Sequence, residues 1–222
     1  MTSISNKIVT GLRGLMSRPN ERGIRTSDIF RLKVREKVRN ILRDAEGLII
    51  DIGCGEGYLL ENVLSDGRLK AALFDNCPAM LQKVVEGYFP GLQNCAYPIR
   101  GEAGLLPFRD NAFDYAVCVS TFYNLPSKDD VITAMKNIGR IVKTGGRFIF
   151  DIRNRNNPLV KRAYEKVQSY DPSIADLPLN AYTIDEASQI LRSAGFKIRK
   201  SYGMYFPLKS LAPIIVIEAE KV

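Results

Sequence analysis

Three glycines at alternate positions, Gly53, Gly55 and Gly57, follow the apolar run Leu48-Ile49-Ile50 and its acid Asp51. That spacing lets backbone turn sharply and approach a ligand where a Cβ would intrude. The β-branched run ahead of the glycines reads as a buried strand. Behind them Tyr58, Leu59, Leu60, Val63 and Leu64 recur at helical spacing, so a helix is expected over 57–65, with free N–H groups at its start. A strand, a glycine loop and a helix in that order receive a nucleotide-like cofactor. Asp75 ends a second apolar run at 69–74, about twenty residues past the loop, where a carboxylate can accept from both hydroxyls of a ribose. NAD-binding domains share the loop and the acid, so these two features leave the cofactor open.

The elements that must position these residues alternate along the chain. Strands are expected near 47–52, 69–74, 94–99, 113–119 and 146–151, and helices near 57–65, 77–88 and 129–142. Two further strands, 197–205 and 213–220, follow Gly195. Such alternation argues for an α/β fold with a parallel sheet covered on both faces. Ahead of it, Ile8, Leu12, Leu15 and Met16 suggest a short amphipathic helix, broken at Pro19. A second helix carries Phe30, Val34, Val38, Ile41 and Leu42 on one stripe, with Ser27 or Asp28 as its cap. Arg31, Lys33, Arg35, Lys37, Arg39 and Arg43 lie between the apolar positions and are expected to form an outward basic face. Residues 153–182 interrupt the pattern with Asn156-Asn157-Pro158, Asp171-Pro172 and Leu177-Pro178 around one candidate helix near 159–167.

Further motifs discriminate. Leu106-Pro107-Phe108 and Phe113-Asp114 precede the strand expected at 113–119; Gly145-Gly146 precede the one at 146–151; Thr183-Ile184-Asp185-Glu186 and Ser193-Ala194-Gly195-Phe196 close the series. Together with Asp51–Gly57 and Asp75, this series resembles the class I S-adenosylmethionine-dependent methyltransferases, in the group that contains ubiquinone/menaquinone-type enzymes. The resemblance covers 44–152 and resumes at 182–196. It implies a doubly wound, Rossmann-like, seven-stranded sheet, mostly parallel with one antiparallel strand, and helices on both faces. It also implies S-adenosylmethionine as cofactor. Gly53, Cys54 and Gly55 would line its methionine and ribose, and Asp51 would reach the methionine ammonium. Asp75 would hold the ribose, with Asn76 and Met80 flanking the adenine. Glu102-Ala103 would stand at the adenine amino group, and Ser120 completes the set. One domain spans 1–222: a basic helical cap (1–46), a cofactor core (47–152), a substrate-side insertion (153–182) and a C-terminal helix with a strand pair (183–222).

The chain has no histidine, which removes the commonest general base. Tyr123 is the candidate catalytic residue by position, with Tyr58 beside it. A phenol of ordinary pKa, about 10, is a poor base. Proximity-driven, in-line transfer onto an atom that is already nucleophilic is therefore the expected mechanism. No metal site is expected: the four cysteines are widely spaced, with no C-x-x-C pair, and read as reduced core thiols.

The net charge of +8 is unevenly placed. Residues 1–46 hold eleven Lys/Arg against five Asp/Glu, residues 152–182 five against three, and the remainder sixteen of each. Either these segments are solvated helix faces, or they recruit an anionic acceptor or an anionic membrane surface. The leading expectation is a methyltransferase for a small or lipid-linked anionic acceptor, cytoplasmic, with peripheral membrane contact as an extension. The alternatives are an RNA methyltransferase, for which no added RNA-binding domain is evident, and a non-catalytic cofactor-binding scaffold. No apolar run reaches the roughly 18 residues of a membrane span, and the N-terminus has no apolar signal core.

Overall fold

The computed structural model describes residues 26–61, 63–86, 94–168, 180–206 and 208–222. The short helix expected around Ile8–Met16 lies outside them. Helix α1 (Thr26–Ile41) leads into β1 (Gly47–Ile52), β2 (Leu69–Asp75), α2 (Pro78–Val85), β3 (Ala96–Arg100) and β4 (Phe113–Cys118). Next come α3 (Lys128–Ile141), β5 (Val142–Asn154), α4 (Pro158–Gln168) and β6 (Ala181–Tyr182). The chain closes with α5 (Ile184–Ser193), β7 (Phe196–Met204) and β8 (Ile214–Lys221).

The strands order themselves β3-β2-β1-β4-β5-β8-β7, with the two-residue β6 paired to the end of β5. All pairings are parallel except those of β8, which runs antiparallel to both β5 and β7. This is the expected mixed α/β sheet, with β6 as an addition. The order reverses between β1 and β4. In open sheets of this type the crevice for a ligand opens there, beyond the carboxyl ends of the strands.

Alternation along each strand splits the core into two layers. Ile50, Ile52, Ala116, Phe148 and Phe150 point to one face, where α3 brings Val131, Met135 and Ile138 and α5 brings Ala187 and Leu191. Ile49, Leu73, Val117, Ile149 and Val216 point to the other, under Val34 and Val38 of α1 and Leu59, Leu60 and Leu64. Two helices begin on side-chain caps. Ser127 accepts from Asp130 N–H, and Thr183 and Glu186 form a reciprocal capping box. Gly139 lets α3 lie directly against the Ala194 carbonyl at the end of α5; a Cβ there would collide with it.

Several expectations change. Residues 57–65 do not form a regular helix among the described residues; they make successive turns such as Val63 N–H to Leu60 O at 2.9 Å. The cause lies on α1. Arg39 donates from Nε to Leu59 O at 3.1 Å and from Nη2 to Tyr58 O at 2.6 Å, taking carbonyls that a helix would have used. The basic stripe of α1 is therefore not wholly outward: Arg39 is spent on those carbonyls, and Arg35 leans toward Tyr58 and Asp51. Ser27 and Asp28 fall inside α1, not ahead of it. The strand expected at 146–151 starts earlier and runs through Gly145-Gly146, where Gly145 takes a φ of 77° and the pairing register with β4 shifts. No helix among the described residues is long and apolar enough to cross a membrane.

Candidate functional site

The carboxyl ends of β1 and β2 are stitched together by backbone. Phe74 O accepts from Gly53 N–H at 2.8 Å and Cys54 N–H at 3.2 Å, holding the glycine loop against β2. Asp75 continues the seam: Oδ2 accepts from Gly55 N–H at 2.8 Å and Oδ1 from Cys77 N–H at 2.9 Å. Each carboxylate oxygen keeps a lone pair, because each can accept about two hydrogen bonds. Asp75 is half-buried, at the carboxyl end of β2 beside the crevice. Lys83 of α2 donates to Glu56 and ties the far side of the loop to the next helix. That contact holds the Glu56 carboxyl below its ordinary range.

The three loop glycines all have positive φ: 73° at Gly53, 55° at Gly55 and 80° at Gly57. Their surroundings differ. A Cβ on Gly53 would strike Thr121, whose hydroxyl sits 3.3 Å from Ile52 O and 3.2 Å from Val119 O. Gly53 thus lets the loop after β4 close onto β1. A Cβ on Gly55 would meet nothing within 4 Å, so the crevice opens there.

Asp51 lies beneath, 2% exposed, and its Oδ2 is buried with no hydrogen-bond partner among the described residues. Burial pushes its pKa up to about 7, against the pull of Arg35 and with help from Asp75. Burial likewise depresses the Arg35 guanidinium, which lies 5.5 Å from the Tyr58 ring centre. The Cys54 thiol is pushed far up by burial next to Asp51 and Asp75, so it stays protonated. Asp51 and Arg35 thus attract each other beneath the glycine loop, and Asp51 keeps an acceptor oxygen to spare among the described residues.

On the β3 side, Gly101 N–H donates to Asp75 O at 3.0 Å and brings the loop of Glu102 and Ala103 beside Asp75. The Phe74 ring packs under Gly101 and fixes that approach. Glu102, Asn76 and Met80 are exposed at the same end of the sheet. On the β4 side, Ser120 takes a φ of 59° and donates its N–H to Asp151 Oδ1 at 2.6 Å, while Asn124 Nδ2 donates to Ser120 O at 3.1 Å. Tyr123, in a single turn of 3₁₀ helix, lies with its ring centre 4.1 Å from the Arg153 guanidinium. A ring faced by a permanent cation packs as a cation–π partner.

Sequence reasoning misses Thr121, Asp151 and Arg35 as residues that shape the site. For Thr121 the only signal is its place just after a strand. Arg35 reads as one more member of a basic stripe. Of the cations on the insertion, Arg155 is engaged: it donates to Glu186 Oε1 at 2.6 Å and to Ala181 O at 2.8 Å.

Comparison with known proteins is consistent with this geometry. A family model described as a methyltransferase domain matches residues 50–150. The ubiquinone/menaquinone biosynthesis C-methyltransferase of Hahella chejuensis is 30% identical over 159 residues, covering 68% of this chain and 59% of that protein. The tRNA U34 carboxymethyltransferase of Helicobacter acinonychis is 26% identical over 151 residues, covering 63% and 56%. The chain thus spans less than two thirds of the length of these relatives. Among solved structures, a SAM-dependent methyltransferase from Methanosarcina mazei superposes with a TM-score of 0.64 at 21% identity, over 80% of this chain and 93% of that one.

Proposed function

A class I S-adenosylmethionine-dependent methyltransferase domain forms the core of this chain, and from it we propose that the chain transfers the methyl of S-adenosylmethionine to a small or lipid-linked acceptor. The observation that carries the reading is the crevice at the β1–β4 switch. Asp75 keeps acceptor capacity there, Gly55 leaves open space, and Asp51 offers a buried oxygen with no partner among the described residues.

S-adenosylmethionine is the cofactor of such a domain, and these residues fit it. Asp75 would accept from the ribose hydroxyls. The unpartnered Oδ2 of Asp51 would accept from the ammonium, and Arg35 opposite would meet the carboxylate of the same amino-acid end. Asn76, Met80, Glu102 and Ala103 stand where the adenine would lie, with Cys54 and Ser120 nearer the methionine end. The bound group supplies a sulfonium methyl, already electrophilic.

What remains for the protein is alignment and the exclusion of water. Thr121 clamps the β4 loop to β1, and Asp151 holds Ser120 in its left-handed conformation, so the wall of the site is fixed before an acceptor arrives. With no imidazole in the chain, no side chain of ordinary pKa near neutrality stands ready as a base. Tyr123, stacked on Arg153, is better suited to shape the pocket than to take a proton.

A small or lipid-linked acceptor is favoured over RNA because several cations that would have made an outward polyanion surface are committed within the chain: Arg35 leans to Asp51, Arg39 holds two carbonyls, and the half-exposed Arg155 is paired with Glu186. The ubiquinone/menaquinone relative points the same way. The tRNA-modifying relative is the reason to keep RNA as the second reading. The reaction would take place in the cytoplasm or at its membrane surface.

Calorimetry with S-adenosylmethionine and with NAD tests the cofactor: S-adenosylmethionine is expected to bind and NAD is not. Incubation with methyl-labelled cofactor and either a lipid extract or total tRNA tests the acceptor. Label in the tRNA alone would overturn the small-acceptor reading, and tight NAD binding with no response to S-adenosylmethionine would overturn both.

A further inference from the structure

Beyond the switch point, β4 and β5 end in a second polar group. Strand β5 directs Ile149, Asp151 and Arg153 to the face that α1 covers. The Asp151 side chain is fully buried and both its oxygens are taken, Oδ1 by Ser120 N–H at 2.6 Å and Oδ2 by Arg153 Nη1 at 3.1 Å. Burial pushes the Asp151 pKa up while Arg153 and Ser120 pull it back. The Arg153 side chain is 14% exposed and stacked on Tyr123. On the same side Tyr205 adopts a φ of 68°, within electrostatic reach of Arg153 and of Glu36 on α1, and Lys33 lies 5.4 Å from its ring centre.

A guanidinium carries five N–H donors. One is given to Asp151, and no second acceptor for Arg153 is found among the described residues. Neutralising Asp151 requires a cation but not a fork. A planar fork with donors left over, held over the Tyr123 ring, matches an oxyanion taken through two parallel bonds. Asp75 on β2 and Arg153 on β5 are three strand spacings apart, about 14 Å. A cofactor held at Asp75 and Asp51 therefore leaves the Arg153 end to another molecule.

We propose that Arg153 binds the methyl acceptor, and that the acceptor carries a carboxylate or phosphate group received by its unused donors. This inference rests on the methyl-transfer reading and narrows its substrate class. It also narrows the recognition of negative charge, from two basic segments to one sequestered arginine in the second of them, residues 152–182.

The test uses the whole chain saturated with S-adenosylhomocysteine, so that the cofactor site is filled. Benzoate and phenyl phosphate are then titrated in by calorimetry. At least one should bind, and Arg153→Met should weaken it tenfold or more while changing S-adenosylhomocysteine affinity less than twofold. A probe that responds alone identifies the oxyanion as carboxylate or phosphate. Because Arg153→Met leaves Asp151 buried without its cation, the double variant Asp151→Asn/Arg153→Met serves as a second arm. An amide at position 151 keeps an oxygen to accept from Ser120 N–H, so this variant should retain S-adenosylhomocysteine binding and lose the probe to the same degree. Equal probe binding by wild type and both variants, or no probe binding by wild type, overturns the proposal. Absence of S-adenosylhomocysteine binding by wild type would instead bring down the cofactor reading, and this inference with it.

Discussion

Asp75 shows how one carboxylate can serve structure and ligand together. Its two oxygens each accept one backbone N–H, from the glycine loop and from the turn before α2. Hydrogen bonds to a charged group are each worth about 1.5–3 kcal/mol, so losing its contacts to a ribose should cost at least about tenfold in affinity. Asp75→Ala is expected to lose that much in S-adenosylhomocysteine calorimetry while circular dichroism shows the fold retained; an unchanged dissociation constant would remove Asp75 from the ribose. Asp51 has the opposite character, a buried acid whose pKa is raised by burial to about 7. Its folded value lies above the unfolded one, so the folded state holds the proton more tightly. Stability of the ligand-free protein should therefore fall as pH rises from about 4 to about 7. A tenfold difference in proton affinity between the two states corresponds to about 1.4 kcal/mol, so the loss is a few kcal/mol at most. Denaturant titrations across that range should show the slope, and Asp51→Asn should reduce it, leaving the share of Asp151, whose pKa burial also raises. An ammonium at Oδ2 favours the ionised form, so cofactor affinity should rise through pH 7 in the wild type and not in Asp51→Asn.

At the level of elements, Arg39 makes the sharpest prediction. It holds Tyr58 O and Leu59 O, and removing it leaves two carbonyls to find other partners. Arg39→Met should destabilise the chain by about 1–3 kcal/mol in denaturant unfolding, and should loosen the segment behind the glycine loop. Arg31→Glu, on the exposed side of α1, should do neither. This contrast also marks what the sequence can convey. Strands such as β1 and β2 are legible because each is a short apolar run ending in an acid or a glycine. Helix α3 is legible by its periodicity over 129–142, and α5 by the Thr183-Ile184-Asp185-Glu186 motif that opens it. The turns at 57–65 are not, since Leu59, Leu60 and Leu64 are spaced as in a helix and the competitor for their carbonyls lies some twenty residues earlier, at Arg39. The two-residue β6 escapes for a similar reason: Ala181 and Tyr182 are strand only because the end of β5 offers them an edge. In the crevice, the glycines and Asp75 are visible by spacing, whereas Thr121 and Asp151 acquire meaning only once β1, β4 and β5 lie side by side.

Across the whole molecule, excess positive charge is a coarse guide to where an anion would be received: it marks residues 152–182, where Arg153 lies, and also residues 1–46, where α1 lies. The cations of α1 are partly drawn inward. Among the described residues, the one best arranged to grip an oxyanion, Arg153, sits in a strand end and contributes a single charge to the total. Salt should therefore weaken acceptor binding only modestly, because a sequestered pair is screened less than an exposed patch; titrations at two ionic strengths would check this. The sheet order carries a further consequence, one of timing. Strand β8 lies between β5 and β7 and is antiparallel to both, with Ile214, Ile215, Val216 and Ile217 all buried. Until residues 214–221 have left the ribosome, β5 has no neighbour on that side and β7 no partner in the sheet. The crevice residues are all translated earlier, yet the half-sheet that carries Asp151 and Arg153 stays open at its edge, and open edges invite pairing with other chains. Nascent chains stalled before residue 214 should thus be sensitive to protease and prone to aggregate, and should gain protection in a single step as β8 emerges.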